Sequence, residues 1–167
     1  MTSSSIPFKV IMCSLQIYFL IMNFTVERSY CLNEITPERA GFLMKETYEF
    51  SVTNNPLFLQ RPEWLRMATC GHSYLFWLLY IVIIYVTITD SWSNRVVKLP
   101  LTLGLGAKLY AILFYHAMEF TSDTPPPNLI PYFLAEGPYL ISMAIVGYKL
   151  SCNNSNTSEV TKSKKES

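Results

Sequence analysis

The stretch that decides the fold runs from Pro131 to Leu150 and reads PYFLAEGPYLISMAIVGYKL. It is long and apolar enough to cross a bilayer, which takes about 20 helical residues. One carboxylate, Glu136, stands well inside it, followed by Gly137, Pro138 and Tyr139. A charge at that depth costs roughly 2.5–3.5 kcal/mol on insertion scales, and such groups face a cavity or a partner. Pro138 removes a backbone donor and frees a carbonyl in the preceding turn. An acid and a proline together at mid-depth mark one wall of a pocket. The plainer alternative is a carboxylate that only pairs with a charge on another helix.

Composition extends this reading to the whole chain. Of 167 residues, half are hydrophobic and 15% are charged, against roughly 25% charged in soluble domains. The apolar residues fall in long runs, as in an integral membrane protein. A net charge of +1 favours no particular partner. Without an arginine-rich stripe or a glycine-rich phosphate loop, nucleic acid and nucleotide are set aside. Cys13, Cys31, Cys70 and Cys152 have no metal spacing, and the two that lie in or beside apolar runs read as small hydrophobes. No metal or cofactor is expected, and no Ser-His-Asp spacing or redox pair appears.

The first apolar run is Val10 to Val26, with Lys9 before it. No small-residue cleavage pattern follows, so it reads as a membrane anchor, not a signal peptide. Residues 27–66 mix both charge signs. Pro37-Glu38-Arg39 suits a first helical turn capped by Thr36, and the stretch to Phe50 reads as an amphipathic helix on the outside of the bundle. Arg61-Pro62-Glu63-Trp64 opens the second span. Met67 to Thr89 contains no Asp, Glu, Lys or Arg. The third span runs from near Lys98 to near Phe120, and its Gly104 and Gly106 permit close helix approach. A proline-rich turn, residues 122–131, precedes the fourth span.

The predicted architecture is an all-α, polytopic membrane protein: a four-helix transmembrane bundle over residues 1–150, then a disordered cytoplasmic tail over 151–167. Lys9, the Arg95–Lys98 turn and the C-terminal lysines fall on one side, and the proline turn has no basic residue. Both termini are therefore expected in the cytoplasm. Asn153 and Asn156 stand in glycosylation patterns that a cytoplasmic tail would leave unmodified. Lys164 and Lys165 resemble a dilysine retrieval signal, which points to the endoplasmic reticulum.

The ligand-binding candidates are the polar groups inside the spans. Lys108, Tyr115 and Glu119 share a face of the third helix, with His116 beside it. Glu136 and Tyr139 share a face of the fourth, and His72 stands in the second. Lys108 lies roughly 15 Å from the boundary at 1.5 Å per residue, too deep to snorkel. It needs a partner, for which Glu136 is the best candidate.

Tyr18-Phe19-Leu20, Asn55-Pro56-Leu57, Pro62-x-Trp64 and Pro138-Tyr139-Leu140 with a lysine-rich tail resemble the sigma-2 receptor group of the EXPERA family. That family includes the emopamil-binding sterol isomerase. The resemblance implies a four-helix protein of the endoplasmic reticulum whose pocket accepts sterol-like or amphiphilic ligands and which regulates sterol or lipid trafficking. A sterol double-bond isomerase is the alternative it implies. A homodimer or a partner membrane protein remains open. The group's acid late in the first span is replaced here by Tyr30 and Cys31, and its acid early in the second by His72. On this alignment acidity moves to Glu136.

Overall fold

The computed structural model describes residues 4–38 and 41–163, with side chains as far as Cys152. Among them are four helices long and apolar enough to cross a membrane, and no strand. The protein is an all-α, four-helix transmembrane bundle.

The first span has three parts. Helix α1 (Ile6–Met22) passes into a π turn (Asn23–Glu27) and then α2 (Arg28–Leu32) without leaving the helical path. A π turn holds an extra residue and rotates the helix beyond it, and such turns are frequent at functional sites. The span therefore reaches past Val26, where the apolar run ends, and carries Glu27 into the bundle.

The loop after α2 leads to α3 (Met44–Asn54). The sequence reading begins this helix at Pro37, but residues 37–38 form only a turn. Leu43 has left-handed backbone, φ 65°, so helical geometry starts after it. Nor does α3 lie on the outside: Met44 and Ser51 are buried, and its inner face roofs a cavity. Asn55 then caps α4 (Pro56–Gln60), accepting from Phe58 N at 3.1 Å. Arg61 donates to the carbonyls of Tyr30, at 3.0 and 2.9 Å, and Cys31, at 3.0 Å. These are carbonyls that the end of α2 leaves without helical partners.

Helix α5 (Glu63–Thr89) ends at Asp90 in left-handed backbone, α6 (Arg95–Thr121) is capped by Asn94, and α7 spans Leu129–Ser163. Helix α7 runs on to Ser163, past the end of the fourth span. No glycine or proline follows Gly147 to stop it. Lys164 and Lys165 lie outside the described residues.

Helix α5 packs on α1, α2 and α6, α6 packs on α7, and α7 returns to α1. This closes an up-down-up-down ring. At one end Lys9 Nζ meets Asp90 Oδ2 at 2.5 Å, and Lys149 Nζ reaches Ser4 Oγ at 3.4 Å. At the other end Asn128 ties the proline turn to Thr53 O at 3.4 Å. There a disulfide joins Cys31 of α2 to Cys70 of α5, a pairing that the sequence spacing does not suggest. Cys13 and Cys152 are free.

Candidate functional site

The half of the bundle under α3 and α4 encloses a cavity of about 390 Å³, inside the roughly 300–1,000 Å³ range of small-molecule sites. The space has a sequence cause. Where the helices face it, α5 presents Ala68 and Thr69, α6 Ala111 and α7 Ala135. The wall is mostly apolar, and its charged side chains are Glu27, Lys108, Glu136 and, from the α3 roof, Glu46.

Four polar groups form a chain across the helices. Asn23 Nδ2 donates to Glu27 Oε2 at 2.8 Å, one turn along the π segment. The same Glu27 oxygen lies 2.7 Å from His72 Nδ1 on α5. His72 Nε2 in turn meets Lys108 Nζ on α6, with the Tyr80 hydroxyl at 3.4 Å. An ammonium can only donate, so Nε2 accepts and the imidazole proton sits on Nδ1, facing the carboxylate. Glu27 thus fixes the tautomer of His72, and His72 holds Lys108.

Lys108 is 3% exposed. Its Nζ lies 5.2 Å from the ring centre of Phe76, 5.4 Å from Tyr80 and 4.9 Å from Tyr139. All three are within the roughly 6 Å at which an aromatic face attracts a cation. The cage is itself braced, since Phe19 stacks on Tyr139 at 4.1 Å and tilts against Tyr80 at 5.6 Å. Glu136 lines the same cavity and is in electrostatic reach of Lys108 and Glu27. It makes no direct ion pair with Lys108 among the described residues. The partner expected for Lys108 is therefore corrected: His72 takes the contact, with Glu27 behind it.

Five of the seven sequence candidates, His72, Lys108, Tyr115, Glu136 and Tyr139, line this cavity; His116 and Glu119 do not. The Tyr115 hydroxyl accepts from Asn55 Nδ2 at 2.8 Å, joining α6 to the roof. His116 Nδ1 lies 2.7 Å from the Tyr132 hydroxyl, among Phe120 and Phe133. Glu119 is fully buried, and neither carboxyl oxygen has a hydrogen bond among the described residues.

Glu27 is the site residue that sequence reasoning missed. It follows directly on the apolar run and reads as part of a polar exit. With Glu27 in place, the first span does carry an acid, three residues before Tyr30. The usable signal was the asparagine four residues earlier, which is helical spacing for a polar pair facing inward.

The fold and the cavity define a multi-pass membrane protein with a charged cluster set into an apolar chamber. Comparison with protein-family models, curated proteins and solved structures finds no match.

Proposed function

We propose that this is an endoplasmic-reticulum membrane protein that binds sterol-like or amphiphilic molecules in its cavity and thereby regulates sterol or lipid trafficking. The observation that carries the reading is the chamber of about 390 Å³, apolar on most of its wall, with polar groups gathered at Glu27, His72, Lys108 and Glu136. An amphiphile has that same division between an apolar body and one polar head. The sequence resemblance to the sigma-2 receptor group supports the same ligand class.

The disulfide supports the orientation. Disulfides persist in oxidising compartments such as the reticulum lumen. Cys31–Cys70 stands at the end opposite Lys9 and Lys149, which favours a cytoplasmic position for both termini.

The charged cluster also favours a second reading, isomerisation of a sterol double bond. That chemistry needs a proton donor and a base with a cation stabilised between them. A lysine ammonium within the cavity opposes such a cation, so binding is the preferred function. The test is photocrosslinking of purified protein with a sterol diazirine and mapping of the adduct. Adducts on residues facing the chamber, competed by unlabelled sterol, support binding. Labelling only of lipid-facing residues overturns it. Incubation with a Δ8-sterol separates the second reading, which requires a Δ7 product.

A further inference from the structure

The Lys108 ammonium sits as a ligand amine would sit. It has three aromatic faces, at 4.9, 5.2 and 5.4 Å, a histidine acceptor backed by Glu27, and Glu136 in electrostatic reach. Aromatic faces assisted by carboxylates are the general solution for holding a substituted ammonium in an apolar site. Here the occupant is tethered to α6.

We propose that Lys108 is a built-in occupant of an amine-binding cage, and that its presence makes the cavity selective for uncharged amphiphiles over cationic ones. This rests on the cavity being a ligand site. A second cation entering the chamber would meet Lys108 at close range between mostly apolar walls, where like charges repel more strongly than in bulk water. A neutral head group instead finds an ammonium with three N–H donors, of which His72 occupies one. An anionic head would face Glu27, Glu136 and Glu46 of the roof, three carboxylates against one ammonium. A hydroxyl or carbonyl oxygen suits what remains.

The cage can be emptied and refilled. In Lys108→Ala the outer three carbons and the ammonium of the side chain are gone while the rings and carboxylates stay. Added n-butylamine is expected to raise the thermal midpoint of this variant by about 5 °C, the scale of a saturated single site. n-Butanol and butyrate are expected to do nothing, and the natural protein is not expected to respond to the amine. With longer probes the preference inverts: dodecanol stabilises the natural protein more than dodecylamine does, and dodecylamine stabilises Lys108→Ala more. If the single variant does not fold, Lys108→Ala/Glu136→Gln has one fewer unpaired carboxylate and carries the same measurements. Equal response to butylamine and butanol, or a natural protein that takes dodecylamine as readily as the variant does, overturns the proposal. Rescue by butylamine with no response of the natural protein to dodecanol supports the cage and counts against the lipid-binding reading alone.

Discussion

The two halves of this bundle are made from the same four helices and solve opposite problems. In the half near Lys9 and Asp90, Met12, Ile83, Val86, Leu101, Met143 and Val146 form a dry cluster. Helices there approach closely: a Cβ on Gly104 would lie 3.0 Å from Leu79 Cδ1, and one on Gly147 3.5 Å from Leu105 Cδ2. In the half near the disulfide the helices face one another with alanine and threonine, and the gap between them is open. The first half excludes space, and the second maintains it. The lesson is that a small residue can do either job. Gly104 draws a neighbour in, whereas Ala135, opposite other small side chains, leaves room. Open space among helices needs external support, and the roof of α3 and α4, the Arg61 clamp and the Cys31–Cys70 bond all belong to the open half.

The sharpest way to break this comparison is to remove charge from the open half. Deleting one partner of a buried pair leaves the other uncompensated, at about 3–5 kcal/mol. Glu27→Gln and Lys108→Met are each expected to destabilise on that scale, and the double variant by clearly less than their sum. The Glu136→Gln and Lys108→Met pair should couple more weakly, because no hydrogen-bonded side chain links them as His72 links Glu27 to Lys108. Denaturant titration of the four variants in detergent checks this. A coupling for Glu136 equal to that for Glu27 would mean that the Glu27–His72–Lys108 chain does not organise the site.

The disulfide comes next. It closes a loop with a sequence separation of 39, for which about 2–4 kcal/mol of stabilisation is typical. Cys70→Ser should lower the thermal midpoint and loosen the open half first, seen as faster hydrogen exchange in α3 and α4 than in the dry cluster. Uniform loosening of both halves would show that the bond supports the bundle generally.

How much of this was legible in the sequence also divides along the chain. The second span was legible because nothing charged interrupts Met67 to Thr89. Lys108, Tyr115, Glu136 and Tyr139 were legible because helical spacing aligns them. The same spacing carried the face on to Glu119, but the chamber stops short of it, and a repeat along a helix says nothing about where a cavity ends. Glu27 was hidden because it follows directly on the apolar run and reads as the polar exit of the span, with only its spacing of four from Asn23 pointing inward. The disulfide was hidden because pairing is set by the approach of α2 to α5 and not by spacing. The roof was hidden because α3 mixes polar and apolar residues, as a surface helix does, yet its inner face meets a chamber and not lipid.

Packing changes should have opposite consequences in the two halves. Met143, fully buried in the dry cluster, is expected to cost about 2 kcal/mol as Met143→Ala. That is the low end of the core range, because between helices in lipid mainly packing is lost. Ala135→Leu grows into open space and should be near neutral for folding while reducing sterol crosslinking. Equal destabilisation by the two would mean that the chamber closes in solution.

The smallest effect is expected at the outer ion pair of the dry half. Lys9 and Asp90 meet at 2.5 Å, with their side chains 26% and 25% exposed. Partly exposed pairs contribute roughly 0–1 kcal/mol, because water and side-chain entropy offset the attraction. Lys9→Gln also loses the bond from Nζ to Ile88 O, 3.0 Å long, though glutamine retains a donor. The informative comparison is therefore with salt and not with size. An outer pair is screened as the Debye length falls from about 10 Å at 0.1 M to 3 Å at 1 M, so the difference between Lys9→Gln and the natural protein should shrink across that range. The Glu27–Lys108 coupling, shielded from ions by the bundle, should stay nearly constant. If the inner coupling fell with salt as steeply as the outer one, water and ions would have access to the chamber, and the contrast between the two halves would have to be redrawn.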